Sequence, residues 1–151
     1  MAAAIVTRLA FGKTDVIQML NGCIGGLVAI TAEPLMPSPL AAILIGAVGG
    51  IIVVYGTKFL LSMKIDDVVG AIPAHLFAGI WGTLAVPITN PDTNFGAQLL
   101  GVISINAFVF IVSLIVWGIM KSTIGIRLSK EGELKGTDVT ETGVIAYAIR
   151  D

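Results

Sequence analysis

Of 151 residues, 56% are hydrophobic and 13% charged, against about a quarter charged in soluble domains. The charges avoid most of the chain and gather at segment ends and from Lys121 onward, which excludes an ordinary soluble core and fits an all-α integral membrane protein, a multi-spanning helical bundle. A formal net charge of −1 points to no nucleic acid, and the single cysteine, Cys23, excludes an internal disulfide and reads as a small buried thiol within an apolar run.

Met1–Ala10 reads as the last turns of a helix, too short to span and without the positive start of a signal peptide. The polar turn Phe11–Asp15 follows, where Thr14 or Asp15 can cap the next helix by accepting its unpaired N–H groups. Four full spans are expected, at about 16–32, 40–63, 68–88 and 95–120, in a membrane region 1–126 followed by a tail 127–151. The first is short for a bilayer, and Gly22, Gly25 and Gly26 crowd one side of it, so another backbone can approach closely. Three prolines in Glu33–Pro39 break the helix. In the second span Gly46 and Gly50, with Gly49 beside them, predict a tight helix–helix contact. Ser62–Asp67 is a polar turn and Thr89–Gln98 a loop dense in turn formers. The fourth span is rich in β-branched and aromatic residues and suits a helix facing lipid, with Trp117 near the interface. The tail carries Gly125, Gly132, Gly136 and Gly143 and is too short and polar for a core of its own.

The nine Lys and Arg set the orientation. None lies in 32–39 or 89–98; all fall on the side shared by the Phe11–Asp15 turn, the Ser62–Asp67 turn and the tail. Basic loops stay cytoplasmic, so the expectation is a multi-pass protein of the cell (inner) membrane with a cytoplasmic C-terminus.

The third span holds the only histidine, His75. An ionisable ring inside a membrane helix is costly and calls for a reason. Ala71, Ile72, Ala78 and Gly79 are its helical neighbours, and Ala74, Ala78 and Gly82 form a small-residue row one position away. A neutral imidazole offers one donor and one acceptor, enough to pass a small polar molecule along an apolar path. Packing against another helix is the plainer role for the same ring. Pro73 either bends the helix or leaves the carbonyl near Val69 free for a solute, a water or a neighbouring side chain. Asp66 and Asp67 can cap the helix at its positive end, or Asp67 can help hold a gate.

These residues resemble a known family. Ile65–Val86, IDDVVGAIPAHLFAGIWGTLAV, is similar to the tenth helix of the ammonium transporter (Amt/Mep/Rh) family, with Asp66, Asp67, His75, Gly79 and Gly82 at the motif positions. Lys13–Thr31 resembles its eighth helix, with the NGxxxGLVAIT ending, and Gly125–Tyr147 resembles its cytoplasmic tail. The resemblance implies a partial transporter fold: the end of helix seven, helices eight to eleven, and the tail. It implies ammonium or ammonia transport as a homotrimer, or in assembly with the N-terminal half, through an apolar pore in the lipid bilayer. His75 matches the second of two pore histidines, with Ala71 one turn earlier also facing the pore and Thr31 near it. The tail matches the segment where PII-type regulators dock, and no cofactor or metal is implied. Pro73 and Leu76 flank His75 where many members have smaller residues, Thr142 stands where many place His, and the first pore histidine has no counterpart here. The alternative is a truncated, non-conducting fragment acting as a structural or regulatory partner in the trimer. An enzyme is not expected: the chain has no Ser/His/Asp set, metal cluster or phosphate-binding glycine loop.

Overall fold

The computed structural model describes residues 1–35 and 38–146; Pro37, Tyr147 and Arg150, which enter the motifs and the charge count above, lie outside them. Among these residues every regular element is helical, and they form two compact units, Met1–Asn106 and Ala107–Asp151.

The first unit contains α1 (Ala2–Phe11), α2 (Val16–Ile30), α3 (Pro39–Ser62), α4 (Ile72–Thr89) and the start of α5 (Phe95–Thr123). Local chemistry sets the starts. The Asp15 carboxylate accepts from the Gln18 N–H at 3.0 Å to open α2. The Ser38 hydroxyl accepts from the Ala41 N–H at 3.4 Å to open α3, with Pro39 in the first turn, where its missing N–H costs nothing. Among the described residues three helices, α3, α4 and α5, are long and apolar enough to cross a membrane, and α2, at the place of the first expected span, is apolar but shorter. With 15 residues α2 reaches only about 22 Å, because the chain turns at Thr31 ahead of Pro34.

The centre of the unit is the contact of α2 with α3. An added Cβ at Gly26 would stand 3.1 Å from the Gly46 carbonyl, one at Gly50 3.2 Å from the Gly22 carbonyl, and one at Gly49 2.7 Å from the Gly25 carbonyl. These pairs run in opposite order along the two helices, so α2 and α3 are antiparallel and meet backbone to backbone. A Cβ at Gly22 would collide with Ala3 of α1. Cys23, expected to be buried, is exposed. It sits beside this seam in an apolar groove of ≈ 410 Å³ together with Gly22, Gly26, Gly46 and Gly50. The seam takes the glycines, and the helical phase turns the neighbouring thiol outward.

Helix α4 lies over the same seam. Its Gly82 is pressed so tightly on the Ala29 carbonyl of α2 that a methyl would collide. Trp81 donates its Nε1–H to the Ile45 carbonyl of α3 at 3.0 Å. Gly56 of α3 leaves room for Phe77 and Pro73. The third span therefore begins at Ile72 and not near Val68, for reasons given with the site below. No residue of α5 is buried.

In the second unit the tail is held by polar contacts. Ser129 caps α6 (Lys130–Lys135) by accepting the Gly132 N–H at 3.1 Å. Arg127 grips Glu133 with two hydrogen bonds, of 2.6 and 3.2 Å. The Thr140 hydroxyl, on the single π-helical turn Asp138–Thr142, donates to the Gly132 carbonyl at 3.2 Å, and the Asp138 carboxylate accepts from the Ala146 N–H at 2.7 Å. Gly132 is the one buried residue among the described residues from Arg127 onward.

Two outcomes follow. Gly82→Ala and Gly49→Ala each force a methyl into a carbonyl and should destabilise the bundle by about 1–3 kcal/mol. Gly101→Ala, where nothing stands within 4 Å, should be neutral or better. Steric-trap unfolding in bicelles measures all three, and equal effects would refute the seam. In the tail, Glu133 is held below its usual range by the Arg127 hydrogen bond, and Asp138 by the backbone N–H groups of Ala146 and Val139. A lowered carboxylate stabilises the folded tail above its unfolded pKa and loses that contribution as pH falls through the folded value. Tail order should therefore hold at neutral pH and fade below the usual carboxylate range of about 4. Amide NMR of Gly132 and Ala146 across a pH titration would show it, and signals unmoved down to strong acid would exclude it.

Candidate functional site

The site is built at the start of α4, where three backbone problems are solved together. A helix leaves its first N–H groups unpaired. Both oxygens of Asp67 supply partners, Oδ1 to the Ala71 N–H at 2.9 Å and Oδ2 to the Ile72 N–H at 2.8 Å. Asp66, expected to share this role, is exposed and takes neither bond. Between cap and helix the chain turns through Gly70 at φ +72°, a left-handed conformation that favours glycine.

Pro73 is the third determinant. The sequence places it inside a helix begun at Val68; the structure places it in the first turn of a helix begun at Ile72. A helix running through Val69 would set that carbonyl against the proline ring. The turn avoids the clash and moves the Val69 carbonyl out of the ladder. Of the three partners open to that carbonyl, a neighbouring side chain takes it: Asn21 of α2 donates from Nδ2 at 2.8 Å.

Ile72–Phe77 then winds as one π-helical turn that carries His75, and Ala78 continues as α-helix. Single π turns inside α-helices are frequent at functional sites. The helix has two unlike faces. Pro73, Ala74, Ala78, Gly82, Ala85 and Val86 are buried against α2 and α3. Ala71, His75 and Leu76 are exposed, with Ala71 and His75 four residues apart. Gly79, the next position on that line, is half-buried, with Val28 3.7 Å from where its Cβ would be.

Thr31 is also exposed, and its hydroxyl donates to the Val28 carbonyl of its own helix at 2.7 Å. The contacts Asn21–Val69, Val28–Gly79 and Ala29–Gly82 make α2 and α4 parallel. That register puts Thr31 beyond the level of Gly82 and not beside His75. The structure thus brings Ala71 and His75 onto one strip and leaves Thr31 apart from them. Asn21 and Trp81 lie within the motifs quoted from the sequence but were given no role there. The signal for each was available: a proline four residues after a carbonyl asks for a donor, and an indole N–H in an apolar span asks for an acceptor.

Residues 1–147 match the model of the Ammonium Transporter Family. The chain belongs to this family. It is 36% identical to ammonium transporter Amt2 of Archaeoglobus fulgidus over 97% of its length and 36% of the relative's. It is 41% identical to a putative ammonium transporter of Synechocystis over 87% of the chain and 30% of that protein, and 34% identical to ammonium transporter Amt1 of Haloferax mediterranei over 97% and 30%. The chain therefore spans about a third of the length of the curated relatives it matches. In this ammonium-transporter family member the membrane location agrees with three apolar, membrane-length helices.

Asp67→Ala should free the Ala71 and Ile72 N–H groups and cost about 1 kcal/mol of local stability. Hydrogen exchange at those two amides is the measurement; protection equal to the native chain would mean that the cap contributes nothing.

Proposed function

We propose that this chain forms the C-terminal part of an ammonium transporter, with Ala71 and His75 on the wall of the conducting path. The carrying observation is the two-sidedness of α4. One face is sealed on glycine and alanine contacts, while the face left uncovered bears the chain's only histidine. An ionisable ring in an apolar helix is costly where it meets hydrocarbon alone. It is well placed where a small nitrogenous solute needs a donor and an acceptor in turn. Ammonia offers the complementary pair, N–H donors and a lone pair, so one imidazole can accept from it and donate to it as it passes. The opposite wall belongs to the part of the relatives that these 151 residues do not span.

Thr31 joins the same path at the far end of α2, and Gly79 and Gly82 let α4 lie close enough to α2 for the strip to stay aligned. Asp67 holds the helix start at the basic side. The Lys and Arg distribution supports a cytoplasmic tail in the cell (inner) membrane. A homotrimer and a PII-type regulator at the tail accord with the family resemblance.

His75→Ala in the transporter containing this chain should lower the uptake velocity of labelled methylammonium about tenfold, the equivalent of roughly 1.4 kcal/mol or one lost hydrogen bond. Uptake and selectivity equal to the native protein would reduce His75 to a packing residue.

A further inference from the structure

We infer that Asn21 is a positioning residue for His75: its side-chain amide ties the first turn of α4 to α2 and so sets where the imidazole stands. The inference rests on the reading of His75 as a pore residue.

Four observations converge on this side chain. Pro73 puts the Val69 carbonyl outside the helical ladder, and Asn21 Nδ2 donates to it at 2.8 Å. Gly70 lies so close that an added Cβ would stand 2.5 Å from the same Nδ2, at a φ of +72°. The left-handed backbone thus favours glycine, and a side chain there would push the Asn21 amide aside. Asp67 holds the same turn from the other side through Ala71 and Ile72. The neighbouring Gly22 and Gly25 lock α2 onto α1 and α3, so Asn21 reaches out from the rigid part of the bundle.

The chain from Val69 to His75 is short, and part of it is the π turn at Ile72–Phe77. A π turn closes wider rings than an α turn and is rare by itself, so its placement depends on what holds its ends. One end is fixed by Gly82 on Ala29 and by Trp81 on Ile45. The other is fixed by Asp67 and Asn21. Removing the amide donor takes away the hydrogen bond that ties the Val69 carbonyl to α2, and the turn is then held from one side only. The π turn, with His75 on it, moves with that turn.

The test compares the native 151-residue chain in lipid bilayers with Asn21→Asp, which keeps the shape and loses the donor, and with Asn21→Leu. His75 is the only histidine, so its ring nitrogen signals in solid-state NMR are unambiguous. In both variants those signals should shift or split, and the Ala71 and Ile72 amides should exchange about tenfold faster, while α3 amides keep their protection. If Asn21→Leu also opens α3, the isosteric Asn21→Asp decides alone. Unmoved ring signals with native exchange in Asn21→Asp overturn the inference. In the transporter containing this chain, the same substitution should lower methylammonium uptake velocity several-fold with little change in apparent affinity. Shifted ring signals with native uptake would leave Asn21 as the positioning residue and count against His75 as a pore residue.

Discussion

The whole first unit depends on two backbones touching. Where α2 crosses α3, glycine faces the backbone of glycine at the pairs Gly22–Gly50, Gly26–Gly46 and Gly25–Gly49, with the side chains of Ala3, Val53 and Ala29 pressed in beside them. In lipid, helices gain little by hiding apolar side chains from one another, since hydrocarbon is as apolar as leucine; association rests on close packing. A helix of 15 residues offers little length over which to collect such contact. It compensates by proximity, and that is why the glycines concentrate on this short helix and its partner.

That seam dictates the character of α4. Because α2 and α3 lie so close, α4 can rest on both at once, with Gly82 on Ala29, Trp81 reaching Ile45, and Phe77 and Pro73 in the space left by Gly56. A helix packed on two neighbours along one side has its other side defined by default. Ala71 and His75 fall on that other side. The two-faced character behind the proposed path is thus a product of packing on the far side of the helix. Small residues at positions 74, 78, 82 and 85 turn the imidazole outward as surely as any contact made by the ring.

Much of this was legible in the amino-acid order, because glycine spacing and span length are local signals. Gly46 and Gly50 foretold a close contact, Asp15 and Asp67 announced helix starts, and the His75 motif with its flanking segments carried the family. Three features were not legible, and each has a physical cause. Apolar character continues through Val68 and Val69, so hydropathy alone begins α4 too early; Gly70 and Pro73 override it. Cys23 looks buried in a run of apolar letters, but exposure depends on helical phase relative to a partner, which no single segment encodes. Asn21 was overlooked because its partner is 48 residues away in sequence. The chemistry of the candidate site was visible as one histidine with Ala71 one turn before it, whereas the distance of Thr31 from them emerged only from the register of α2 against α4.

Pro73 shows how one residue orders the rest. A proline deep in a span would leave an unpaired carbonyl in hydrocarbon, at a cost of several kcal/mol where no water can help. Set in the first turn it loses no hydrogen bond, since that N–H has no intrahelical partner in any case. The difficulty moves to Val69, within reach of an amide on α2, and the free N–H groups that follow fall to Asp67. The polar groups at the start of α4 are thereby settled at its boundary. From there to Asp92, His75 is the single ionisable side chain. A helix whose entry is so fully satisfied keeps in His75 the one ionisable group on its uncovered face.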